Sequence, residues 1–179
     1  GMTGVRDANG LYFTGSSPWS SWAKLEFLSW TRGDNKTMEW VFTQPSSNMM
    51  IGIGSDATNE TNTAQYQQAE VEAYFSNATN FWGLYGNNGT IGSAGNQGDA
   101  QTIGGSGVFK IKFENDGGVG STFTLYELPS ANFADWNNEN TVIKTMTIGG
   151  TLNPDESTIM PFVIPQSGGT QRLMGARVY

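Results

Sequence analysis

Short runs of alternating apolar and polar residues recur along the chain, separated by clusters of Gly, Asn, Ser and Pro. A period of two sends successive side chains to opposite faces of an extended backbone, so each run reads as a β-strand. The expected strands cover residues 11–14, 24–32, 37–44, 49–55, 70–76, 81–85, 107–114, 121–128, 142–148, 159–165 and 172–179. The clearest is Val108-Phe109-Lys110-Ile111-Lys112-Phe113-Glu114. Phe109, Ile111 and Phe113 share one face, whereas Lys110, Lys112 and Glu114 share the other. The first face is expected to be buried and the second wet.

The segment Asn115-Asp116-Gly117-Gly118-Val119-Gly120 admits positive φ at several places, so this strand and the next form a hairpin. Residues 65–75 fit two periods. Tyr66, Ala69 and Ala73 match a helix, and Ala69, Val71, Ala73 and Phe75 match a strand. The second half is taken as strand, with a helical turn left open in the first. Trp30 and Trp40 fall within strands and are expected in the core. Trp19 and Trp22 are expected to cover the sandwich near the N-terminus. Residues 56–63, 86–105 and 128–141 are the long loops, which in a compact β domain are either functional or mobile. There is no internal repeat, and a single domain over residues 1–179 is expected.

Composition changes this picture by exclusion. The chain has 24 glycines, 19 threonines, 16 asparagines and 15 serines, and only 14% of it is charged. Neither helical nor disordered chains have that make-up. There is no cysteine and no histidine. Disulfides, thiol nucleophiles, His-dependent triads and Cys- or His-ligated metals are therefore excluded. The net charge is −7 and the nine basic residues are scattered, which argues against a nucleic-acid partner. No apolar run is long enough for a helical membrane span, so no membrane insertion is expected. No export signal opens the chain, and Gly1 before Met2 reads as a residue left by tag removal.

Four stretches in succession carry a resemblance. They are Met50-Ile51-Gly52-Ile53-Gly54, then Phe81-Trp82-Gly83-Leu84-Tyr85-Gly86-Asn87-Asn88-Gly89, then the 108–128 hairpin, and finally Met160-Pro161-Phe162-Val163 before Gly168-Gly169. This order resembles the concanavalin A-like jelly rolls, and within them the SPRY-type arrangement, over the last 130 residues or so. The resemblance implies an all-β fold, an antiparallel β-sandwich with recognition on end loops or on one sheet. The family's functional residues do not carry over. Laminarinase-like members place three acids at alternate strand positions, whereas Tyr74 follows Glu70 and Glu72 here. Legume lectins continue a similar opening with Asn, Asp and His; Ser76 stands at the Asn position and the chain has no His.

Glu70 and Glu72 lie two apart on one strand, so their carboxyls share a face, as a glycosidase pair requires. Two Glu on the wet face of a strand are also ordinary, and like charges there guard an edge against aggregation. Asp56, Glu60 and Asp99 could offer oxygen ligands to calcium, but without the spacing of a dedicated loop, so no cofactor is expected. From residue 73 to residue 98 the chain carries no charge, while it holds Tyr74, Phe75, Phe81, Trp82 and Tyr85 among Asn and Gln residues. Aromatic rings against sugar C–H faces, with amides that donate and accept, are the chemistry that binds neutral glycans. A buried strand ending in an Asn-Gly turn would have the same composition. Trp136 in the polar loop 128–141 is read either as a plug for the sandwich or as a ligand platform.

The expected function is a non-enzymatic, lectin-like recognition module for a cell-surface glycan or polysaccharide. Its expected ligand-binding residues are Trp82, Tyr85, Asn87, Asn88, Trp136, Asn137 and Asn138. The composition also suits a virion receptor-binding or tail-fibre part, and hence an extracellular or virion-associated setting. Two alternatives stand beside it. One is a glycoside hydrolase or lyase using Glu70 and Glu72. The other is a structural homo-oligomer with contacts near Trp19, Trp22, Val178 and Tyr179.

Overall fold

A computed structural model of the 179-residue chain describes residues 2–7, 10–15, 23–25, 28–31, 34–43, 45, 48–55, 71–76, 80–86, 101–102, 107–114, 121–148, 158–165 and 170–179. The described strands are β1 (Met2–Asp7), β2 (Gly10–Gly15), β3 (Ala23–Lys24), β4 (Trp30–Thr31), β5 (Thr37–Thr43), β6 (Met49–Ser55) and β7 (Val71–Ser76). They continue as β8 (Asn80–Gly86), β9 (Gln101–Thr102), β10 (Val108–Glu114), β11 (Ser121–Glu127), β12 (Val142–Ile148), β13 (Thr158–Pro165) and β14 (Thr170–Val178). Sheet I has the order β1-β2-β14-β5-β10-β11-β12. Sheet II has the order β3-β13-β6-β7-β8-β9, with β4 also on β13. Every pairing is antiparallel.

Alternation along the strands decides which face is buried. In sheet I, Met38, Trp40 and Phe42 of β5 stand opposite Phe113, Ile111 and Phe109 of β10. In sheet II, Met49 and Ile51 of β6 stand opposite Phe75 and Ala73 of β7. All of these side chains enter one core between the sheets. Aromatic rings join the two layers: Phe42 meets Phe75 at 5.7 Å, edge to face, and Phe75 meets Phe109 at 5.6 Å. Burying a ring of this size contributes about 1.5–3 kcal/mol, and a well-placed pair adds about 0.5–1.5 kcal/mol. Trp30 and Trp40 are in this core, as expected.

The expected strand at 24–32 is divided. Among its described residues β3 and β4 are strand, and between them Leu28 N donates to the Leu25 carbonyl. Both short strands pair with β13. β1 was not expected, because MTGVRD has no alternating apolar face; it is an edge strand with ladder bonds to β2. β9, a two-residue strand, has no period to read. Of the ambiguous stretch, residues 71–75 are strand and residues 65–70 lie outside the described residues. Trp19 and Trp22 lie outside them too.

Bulges adjust the phase of three strands. In β14, Leu173 faces Phe42 and Gly175 faces Val41, so Met174 is the extra residue. This shift lets Leu173 point into the core while Gly175 and Arg177 align with the outward-facing Val41 and Glu39. In β12 the extra residue is Ile143. In β8, Tyr74 faces Gly83 and Phe75 faces Phe81, which makes Trp82 the bulged residue.

Candidate functional site

Two regions carry the residues singled out in the sequence, and they belong to different sheets. The first is the segment 128–141, which connects β11 to β12 and lies across the outward face of sheet I. Register sets out that face in rows. One row runs Gly175, Val41, Lys110, Tyr126, and the next runs Arg177, Glu39, Lys112, Thr124.

Trp136 sits over the first row. It is 7% exposed and packs with Val41, Val108 and Leu128 in a second apolar cluster separate from the main core. A 3-10 turn, Phe133–Asn137, carries it. The turn is held locally: Ser130 Oγ donates to Asp135 Oδ2 at 2.6 Å, Asn132 N donates to Ser130 Oγ at 3.1 Å, and Asn138 N donates to the Asp135 carbonyl at 2.9 Å. Trp136 is thus a structural anchor on a sheet face, not a plug at the sandwich end. Asn137 is exposed, and Asn138 is half-buried with its Oδ1 accepting from Asn140 N.

Beneath the turn lies an ion network whose centre, Lys110 and Glu39, is buried. Lys110 Nζ donates to the Trp136 carbonyl at 2.8 Å, to Glu139 at 3.0 Å and to Glu39 at 3.3 Å, and it stands 4.7 Å from the Tyr126 ring centroid. Arg177 Nε donates to the other Glu39 oxygen, and its Nη2 donates to Asn137 Oδ1 at 2.8 Å. Lys110 and Glu39 are 0% and 1% exposed. The expectation that Lys110 lies on a wet face is therefore corrected, because residues 128–141 cover that face. Burial raises the pKa of Glu139, but hydrogen bonds and charge from Lys110 and Lys112 outweigh it and hold the carboxyl below the ordinary value. Burial pushes the Tyr126 hydroxyl up, with a further contribution from the Glu139 charge. Sequence reading missed Glu39 and Arg177 as a site, since they are 138 positions apart and only strand register joins them.

The second region is β7–β8 in sheet II. Glu72 stands opposite Gly52 of β6 and opposite Tyr85 of β8. It alternates with Ala73 and Phe75, which face the core, so it belongs to the outer face of the sheet. Even so it is 1% exposed, and its Oε2 has no hydrogen-bond partner among the described residues. Burial raises its pKa well above the ordinary carboxylate value. Glu72 is thus not the solvated strand carboxylate that a wet face would hold.

Trp82 and Tyr85 are both in β8, where their place in the strand is described. Asn87, Asn88, Glu70, Asp56, Glu60 and Asp99 lie outside the described residues. The structure therefore puts Trp136, Asn137 and Asn138 together over sheet I and puts Trp82 with Tyr85 in sheet II. Among the described residues, no group of three acidic side chains gathers that could hold a metal ion. Among the same residues, no helix is long and apolar enough to cross a membrane.

No protein-family model matches the chain, and no curated protein matches it significantly. Solved structures do. The chain is similar to the carbohydrate recognition domain of Emp47p, with 10% identity over 100% of this chain and 87% of that one, at a TM-score of 0.50. It is also similar to Xenopus laevis galectin-Ib, with 9% identity over 88% of this chain and 100% of the galectin, at a TM-score of 0.48. A third likeness is to the PSpry domain of TRIM65, with 15% identity over 89% of this chain and 72% of that one, at a TM-score of 0.47. At such identities the likeness is one of fold. The chain is an all-β, antiparallel β-sandwich of the concanavalin A-like jelly-roll type.

Proposed function

We propose that the protein is a non-enzymatic recognition module for neutral carbohydrate, with its recognition surface on β7–β8 of sheet II. One observation carries this reading. β8 is bulged at Trp82 and lies within residues 73–98, an interval without charge but rich in aromatic and amide side chains. Bulges re-aim a side chain next to functional sites, and a neutral aromatic-amide surface is what a sugar ring requires. In this reading Trp82 and Tyr85 supply the ring contacts, and Asn87 and Asn88 supply hydrogen bonds. Asn137 and Asn138, displayed by Trp136, form a second contact. The fold shared with a carbohydrate recognition domain supports the same reading. A receptor-binding role in a virion rests on composition alone.

The test is a glycan array with wild type beside Trp82→Ala, with and without calcium, once both have been shown to unfold cooperatively. Binding by the wild type that a folded Trp82→Ala loses is the expected result. Absence of binding to any glycan overturns the reading.

A second reading has its own observation. A buried Glu72 with a raised pKa and an oxygen unpartnered among the described residues is what a general acid needs in a glycoside hydrolase or lyase. Release of reducing ends from neutral polysaccharide by the wild type, lost in Glu72→Gln, would favour it over the binding module.

A further inference from the structure

We propose that Phe133 is the ring on which a neutral saccharide stacks, at a contact over sheet I that is separate from β7–β8. The proposal rests on the carbohydrate reading above and names where and how a second contact is made. Phe133 is 69% exposed, whereas the neighbouring Trp136 is buried, and their ring centroids are 5.2 Å apart. The sequence leaves Trp136 as either a plug or a platform. In the fold Trp136 faces the sheet and Phe133 faces outward.

Three features argue for a ligand. First, the ring is held on a built support: the turn is closed by its own hydrogen bonds, and Lys110 grips it at the Trp136 carbonyl. A rigid exposed aromatic loses little entropy on binding, which is how recognition surfaces use such rings. Second, the charges of the segment are paired. Glu139 is paired with Lys110 and Lys112, Arg177 is held by Glu39 and Asn137, and Asp135 accepts from Ser130. Beside these pairs stand the Phe133 ring and the residues Asn132, Asn137 and Asn140, all exposed. An apolar ring bordered by amide donors and acceptors is complementary to a pyranose ring and its hydroxyls. Third, one ring offers about 150 Å². A stable protein interface needs about 800 Å² from each partner. The patch suits a sugar unit and is too small to hold a second copy of the chain.

The experiment uses the full chain with 4-fluorophenylalanine at position 133, titrated with cellohexaose, laminarihexaose and maltohexaose and followed by fluorine NMR. Calorimetry on Phe133→Ala and Trp82→Ala accompanies it. Phe133 is exposed, so its alanine variant is expected to keep the wild-type unfolding midpoint. The expected result is a saturable shift of the Phe133 resonance with at least one oligosaccharide, together with binding weakened about tenfold in Phe133→Ala. An unmoved resonance, while binding that depends on Trp82 persists, overturns this proposal and leaves the module reading intact. Absence of binding to all three sugars overturns the Phe133 contact, and silence across the glycan array as well removes the module reading. Self-association that Phe133→Ala abolishes overturns the proposal in favour of a second copy as occupant.

Discussion

The ring of Trp136 occupies the space that any side chain at Gly175 would fill. A Cβ at position 175 would stand 2.6 Å from Trp136 Cζ2 and closer still to Cη2. The β14 bulge at Met174 turns position 175 outward, and its lack of a side chain seats the indole there. One glycine thereby fixes where residues 128–141 lie and buries Lys110 beneath them.

Gly175→Ala should lift the indole from the sheet. The expected destabilisation is about 1–3 kcal/mol, as for other overpacked sites. Urea denaturation read by tryptophan emission would detect a lower midpoint and a red-shifted folded spectrum. An unchanged midpoint would show that the ring is free to move aside.

Lys110 is the charge the segment depends on. Replacing it with Met leaves Glu39 buried with Arg177 as its remaining ionic partner and strips the Trp136 carbonyl of its donor. Breaking a buried pair in this way costs about 3–5 kcal/mol. The double variant Lys110→Met, Glu39→Gln should regain a large part of that loss. Equal losses in the single and double variants would mean that the pair contributes nothing specific.

Glu72 should make stability fall as the pH rises. Its folded-state pKa is raised by burial, so the native state keeps its proton over a range where the unfolded chain has released it. Its stabilising contribution is full below the ordinary value of 4.5 and is lost as the pH climbs through the raised one. Glu72→Gln keeps the neutral shape and removes that dependence. Its stability relative to wild type should therefore be greater at pH 7 than at pH 4, measured by thermal unfolding at both.

Glu139 works in the opposite sense. Burial works against its ionisation, yet Lys110 and Lys112 lower its folded pKa overall. Its contribution is present above the ordinary carboxylate value and is lost as the pH falls through the lowered one. The effect should stay within about 1 kcal/mol, because the group is largely exposed. Amide hydrogen exchange in 133–137, corrected for intrinsic rates, should show less protection at acid pH in wild type and less change in Glu139→Gln.

Alternation by itself determined the strands that line the core and their buried faces. Met38, Trp40 and Phe42, like Phe109, Ile111 and Phe113, can be placed in a core from spacing alone, because a strand's period ties side-chain direction to position. The spacing could not show what covers a strand's other face. Lys110 and Glu72 both stand at positions that alternation assigns to water, and both are buried. Lys110 lies under Trp136 only because β10, β5 and β14 are neighbours in sheet I and a bulge 64 positions further on turns Gly175 outward. Trp136 and Phe133 show the same division. Composition marked the loop as a recognition surface, but which ring is buried and which is displayed depends on contacts between residues far apart in the chain. Pairing across sheets is a long-range choice made by packing energy, and no local pattern of residues encodes it.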